Sequence, residues 1–121
     1  MTAIALTSAT FSEHLQKDGI VFVDFWASWC RPCRAFAPIF EAAAKRHPDI
    51  TWGKVDTDAE ADIAGALEIR SIPTLMVFRD GILVFAQPGI LPGAALDELA
   101  TKVRALDMHE VRRKVMATKV A

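Results

Sequence analysis

The sequence predicts an α/β fold, a central mixed β-sheet with helices on both faces, and three features point to it. Segments rich in β-branched and aromatic residues alternate with segments whose apolar residues recur at helical spacing. Ile20 to Trp26 is apolar on both sides, as a central strand covered on two faces must be. Thr74 to Phe78 and Ile82 to Ala86 flank Asp80-Gly81, a strong hairpin signal, so at least one strand pair is antiparallel.

Taken in order, Ile4 to Leu6 reads as an edge strand. Thr7 or Ser8 is placed to cap a helix running to about Lys17, with Phe11 and Leu15 on one face, and Asp18-Gly19 ends it. After the central strand, a helix is expected from Arg31 to Arg46. Its inward stripe is Cys33, Phe36, Ala37, Phe40 and Ala44, while Glu41 and Lys45 form a favourable pair on another face. Pro38 removes one backbone bond inside this helix and is expected to kink it. His47-Pro48 ends it, because a residue before proline disfavours the helical region. Thr51 to Val55 follows as a strand, then a short helix over Ala59 to Leu67 with Asp58 as its cap. Beyond the hairpin a last core helix starts near Pro92 and buries Leu96, Leu99, Ala100, Val103 and Leu106. The order is β-α-β-α-β-α-β-β-α, with neither repeats nor low-complexity segments.

The apolar stripe of the last core helix would reach Glu110 and Lys114 if it ran on. Met108, Val111 and Val115 form a rotated stripe instead, and Asp107 with Glu110 resembles a capping box. A break near Asp107 and an extra C-terminal helix to about Ala117 are expected, so residues 1–106 form the main domain and 107–121 an extension. Arg112, Arg113, Lys114 and Lys119 make that extension basic. A solvated helix, a dimer or partner contact, and a frayed tail are the three readings of it.

The 121 residues suit one domain with a real core, and 52% hydrophobic content argues against disorder. A net charge of -1 offers no electrostatic reason to expect nucleic acid or membrane binding. Met1 to Thr7 lacks Lys and Arg, so no signal peptide is expected. The most apolar stretch, Ile20 to Trp29, is interrupted by Asp24 and is too short to span a bilayer. The expectation is a cytoplasmic protein.

The two cysteines, Cys30 and Cys33, stand at the junction between the central strand and the long helix. Thiolate is the nucleophilic form, and a free cysteine with a pKa of about 8.5 is only a few per cent ionised at neutral pH. A helix N-terminus presents unpaired N–H groups and partial positive charge, an effect worth up to about 1.5 pK units. That brings Cys30 close to half ionised. Cys33, within one turn, can attack the sulfur of Cys30 and release a product from a mixed disulfide. Pro32 costs no hydrogen bond in the first turn. Two other readings stay open here: half of a zinc site, whose further ligands would have to come from His14, His47 and His109, and an inert buried pair.

The run Val23-Asp24-Phe25-Trp26-Ala27-Ser28-Trp29-Cys30-Arg31-Pro32-Cys33 closely resembles the active-site segment of the thioredoxin family. Lys54-Val55-Asp56, Arg70-Ser71-Ile72-Pro73-Thr74, and Phe78-Arg79-Asp80-Gly81 followed by Gly89 match it in order and spacing over roughly residues 3–106. The resemblance implies the thioredoxin fold and a protein-disulfide reductase working through Cys30 and Cys33. It binds no cofactor: a separate thioredoxin reductase-type flavoprotein supplies the electrons, and disulfide-containing proteins are the substrates of what is expected to be a monomer.

The resemblance also implies site roles. Pro73 is the cis-proline beside the cysteine pair, leaving the Ile72 backbone free to pair with an extended substrate. Asp24 is a general base for Cys33, its pKa raised by burial and partly offset by Lys54. A strand-edge carboxylate reaching solvent is the other reading of Asp24. Trp29, Ile72, Pro73, Gly89 and Ile90 form an apolar rim around Cys30, with Ile90 bulkier than is usual there. Arg31 is the main departure, since thioredoxins usually carry glycine at that position. A cation there is expected to stabilise the Cys30 thiolate and make the couple more oxidising. A thioredoxin-like binding or chaperone module and a more oxidising exchange protein are the alternatives.

Overall fold

In the computed structural model, which describes residues 2–15 and 18–120, ten elements follow one another. They are β1 (Ile4–Ala5), α1 (Phe11–Leu15), β2 (Ile20–Trp26), α2 (Arg31–Arg46) and β3 (Thr51–Asp56). Then come α3 (Ala61–Ala66), β4 (Thr74–Arg79), β5 (Ile82–Pro88), α4 (Gly93–Arg104) and α5 (Met108–Val120). The five strands form one sheet in the order β1-β3-β2-β4-β5. β1, β3 and β2 run parallel, while β4 is antiparallel to β2 and β5. This is the mixed sheet that the residue pattern requires.

Alternation along β2 divides the core. Phe22 faces the layer of α2 and α4, where it packs with Phe36, Phe40, Trp52, Leu96 and Val103. Val21, Val23 and Phe25 face the other layer and meet Leu6, Phe11, Val55 and Ile63. Buried on both faces, β2 is the doubly covered strand its composition demands. Asp24 shares the face of Phe22, so a carboxylate is turned toward the layer that α2 covers.

Several boundaries differ from the pattern for identifiable reasons. The Asp56 carboxylate accepts from the backbone N–H groups of Asp58 and Ala59, at 3.0 and 3.4 Å. That makes residues 57–60 a turn, so α3 starts at Ala61 and Asp58 does not cap it. α1 starts later than expected, at Phe11, because residues 8–10 form a turn in which the Thr7 carbonyl accepts from Thr10 and Phe11 N–H. The expected end at Lys17 lies outside the described residues. α2 runs unbroken through Pro38. In α4, Leu96, Ala100 and Val103 are buried and Leu99 is only half-buried; Leu106, expected in this helix, lies beyond its end at Arg104 and is half-buried.

The break at Asp107 is present. Its carboxylate accepts from His109 and Glu110 N–H at 3.0 and 3.3 Å, although Glu110 pairs with Arg113 and does not reach back. α5 extends to Val120, three residues past the expected Ala117, and the side chain of Lys119 lies outside the described set. Met108 is buried, Val111 and Val115 are half-buried, and Arg112 pairs with Asp80 at the hairpin tip at 3.2 Å. Arg79 Nη1 donates to the carbonyls of Val103, Arg104 and Leu106, tying the end of α4 to the sheet.

Candidate active site at the start of the long helix

Cys30 is the N-cap of α2, with extended backbone angles (φ -85°, ψ 110°). Its sulfur accepts from the backbone N–H of Cys33 at 3.2 Å, as a capping oxygen would. Arg31 and Pro32 open the helix, so proline stands where its missing N–H is not needed. Cys30 and Cys33 are joined as a disulfide, with Cα atoms 5.2 Å apart. Both are almost covered, at 4% and 3% exposure, in a small cluster with Ala27, Trp26 and Ile72.

The Ile72–Pro73 peptide bond is cis. The Ile72 carbonyl oxygen lies 3.7 Å from Cys30 Sγ, which places this loop against the cysteine pair. The Pro73 carbonyl accepts from Gly89 N–H at 2.8 Å and draws the end of β5 to the same place. Gly89 has φ +97°, which an L side chain rarely adopts, and a Cβ added there meets nothing within 4 Å. Glycine is therefore required by conformation, and the space above it is open. Trp29 and Ile90 are exposed around this point. The Trp29 indole N–H donates to the Asp58 carboxylate at 3.0 Å, a contact that no local sequence signal announces.

On β2, Asp24 is fully buried and, among the described residues, neither carboxylate oxygen has a hydrogen-bond partner. Burial pushes its pKa from 3.8 up to about 7, and the charge of Lys54 acts in the opposite direction. Lys54 is the register partner of Asp24 on β3, and its ammonium lies 5.1 Å from the centre of the Trp26 ring. The reading of Asp24 as a strand-edge residue reaching solvent is thus excluded. Arg31 is exposed beside Cys30. Contacts join Cys30, Cys33, Ile72, Pro73 and Gly89 into one region, and Asp24 and Lys54 stand opposite each other on β2 and β3. Among the described residues no group of three or more His, Cys, Asp or Glu stands together in a way that could hold a metal.

Such a site can exchange a dithiol for a disulfide, and known proteins share both its sequence and its fold. The family model described as Thioredoxin matches residues 2–105. A Streptomyces coelicolor protein with the provisional name thioredoxin 2 is 47% identical over 114 residues, which cover 94% of this chain and 85% of that protein. Thioredoxin 1 of Synechococcus elongatus is 44% identical over 109 residues, covering 88% and 96%. The solved structure of a mutant thioredoxin from Halobacterium salinarum NRC-1 superposes with a TM-score of 0.80 at 28% identity, covering 87% and 93%. The chain belongs to the thioredoxin family and is a thioredoxin-type thiol–disulfide oxidoreductase.

Proposed function

We propose that the chain reduces protein disulfides with Cys30 as the attacking sulfur and Cys33 as the resolving one. The observation that carries this reading is the Cys30 sulfur at the N-cap of α2, accepting from Cys33 N–H. The reduced Cys30 thiolate displaces one substrate sulfur, which leaves as a thiolate and takes a proton. Cys33, losing its proton, then attacks the sulfur of Cys30 and displaces the remaining substrate sulfur from the mixed disulfide; that sulfur takes up a proton as it leaves. The Cys30–Cys33 disulfide forms, so two electrons pass from protein to substrate.

Asp24 is the proton acceptor for Cys33 in this reading. A carboxyl held near neutrality on the face that α2 covers suits that task. Lys54 limits how far its pKa rises. The Ile72 backbone, beside Pro73, pairs with an extended substrate, while Trp29, Gly89 and Ile90 complete the rim. Arg31 and Pro32 set the redox balance of the pair. Re-reduction needs two electrons from outside, for which a separate thioredoxin reductase-type flavoprotein is the proposed donor. A reducing compartment such as the cytoplasm keeps the dithiol ready. Residues 1–106 form the working domain, a monomer, with 107–121 as an appended helix; no cofactor is bound in the cycle.

The test is reduction of a model protein disulfide, coupled to a reductase, by the wild type and by Cys30→Ser. Turnover by the wild type and none by the variant is expected. Equal rates would remove Cys30 from the mechanism.

A further inference from the structure

We infer that the face around Cys30 selects disulfides flanked by acidic residues, through Arg31 and Arg34. Arginines distant from the cysteine pair are matched: Arg46 with Asp97, Arg104 with Asp49, Arg112 with Asp80 and Arg113 with Glu110. Arg79 is satisfied by three backbone carbonyls. At the site the pattern stops. Among the described residues neither Arg31 nor Arg34 has a carboxylate partner; Arg34 donates only to the Ser28 carbonyl, at 2.9 Å. Both are exposed in the first turn of α2, beside the capping sulfur. Arg70, two residues before Ile72, has only a loose contact with Glu68 at 3.8 Å, both ends in solvent. Asp58 accepts from the Trp29 indole and has no ion pair with Arg31, Arg34 or Arg70 among the described residues.

A chain with a net charge of -1 thus leaves unmatched positive charge beside its reactive sulfur. Exposed charges of this kind add little to stability but steer partners and reject like charge. The partner that fits is an extended protein segment with Asp or Glu next to its disulfide, because its carboxylates meet the two guanidinium groups as its sulfur meets Cys30. Segments with Lys or Arg in those places are disfavoured. The inference rests on Cys30 being the attacking sulfur, and it adds a choice among substrates to that reading.

The test uses three blocked peptides, each dimerised through one disulfide, with glutamate, glutamine or lysine on both sides of the cysteine. The pre-reduced full chain reduces each at low ionic strength. Every rate is divided by that of dithiothreitol with the same peptide, which removes differences in the peptides' own reactivity. Any effect of Arg31 on the Cys30 thiolate is common to all three and cancels in the ratios. The glutamate peptide is expected to react about tenfold faster than the lysine peptide, with glutamine between, and the preference to shrink in 1 M salt. R31Q should lower the glutamate-to-lysine ratio about threefold, R31K should keep it, and R31Q/R34Q should bring it near unity. Equal normalised rates for the wild type, or an acidic preference that survives R31Q/R34Q, would overturn the inference and leave the exchange mechanism standing. Failure of the wild type to reduce any of the three would overturn the mechanism beneath it.

Discussion

The backbone N–H of Cys33 points at the sulfur of Cys30, 3.2 Å away, so the attacking sulfur caps the helix through an N–H that the resolving residue supplies. The N–H belongs to the backbone and survives replacement of the side chain. Cys33→Ser is therefore expected to keep an attacking Cys30 and to lose resolution. It should accumulate a covalent mixed disulfide with a protein substrate, seen as a band of summed mass on a non-reducing gel. Absence of that band, with the substrate still present and oxidised, would place the first attack elsewhere.

Asp24 gives the fold a pH dependence whose sign can be worked out. Its folded pKa, about 7, is raised above the ordinary value of 3.8. Below both values the group is protonated in folded and unfolded chains and ionisation costs nothing. Between them the unfolded chain releases the proton and the folded chain keeps it, so stability falls as pH rises. Above both, the full cost of roughly 4 kcal/mol remains. Asp24→Asn should thus gain little at pH 4 and up to roughly 4 kcal/mol at pH 8. The amide and the protonated acid are buried alike, so that contribution largely cancels. Urea midpoints of both proteins at the two pH values check this, and a gain independent of pH would contradict it. The same variant should exchange disulfides more slowly if Asp24 serves Cys33.

Arg31→Gly should raise the pKa of Cys30 and make the couple more reducing. The side chain is exposed and screened, so a change of less than about one pK unit is expected. Ultraviolet titration of the thiolate in both reduced proteins measures it, and superimposable curves would end the idea.

The pieces of this site differ in how openly the sequence declares them. Cys30 and Cys33 are plain because strand and helix patterns meet at that point. Asp24 stands out because a charge interrupts an apolar strand, and Asp80-Gly81 fixes the hairpin by turn chemistry alone. The Trp29–Asp58 hydrogen bond is not legible, since it joins residues 29 positions apart that touch only once β2 and β3 are paired. Asp58 looks like a helix cap, yet Asp56 claims the neighbouring N–H groups first. The bridge from His47 to Asp97, at 2.7 Å, and the three carbonyls gathered by Arg79 likewise depend on tertiary packing. At Gly89 the demand for glycine comes from the backbone angle, which no local pattern declares.

Removing residues 107–121 should leave a folded chain with an unchanged exchange rate. Met108 is the only residue of α5 that is buried among the described ones, so the loss of stability should be about 2–3 kcal/mol. Denaturation midpoints and exchange kinetics, measured on both forms with their masses in solution, test this. A fall in exchange rate, or a change from dimer to monomer, would give the extension a working role.

Only 4% of Cys30 meets solvent, whereas its neighbour Trp29 and nearby Ile90 stand 67% and 44% exposed. Exchange needs sulfur to meet sulfur. A rigid convex surface is stopped by these ridges before its own sulfurs arrive, while a slack loop slides past them. The expected consequence is a grading of disulfides by reach: a bond deep in a well-packed domain reacts slowly until that domain loosens, and one on a pliant strand reacts first.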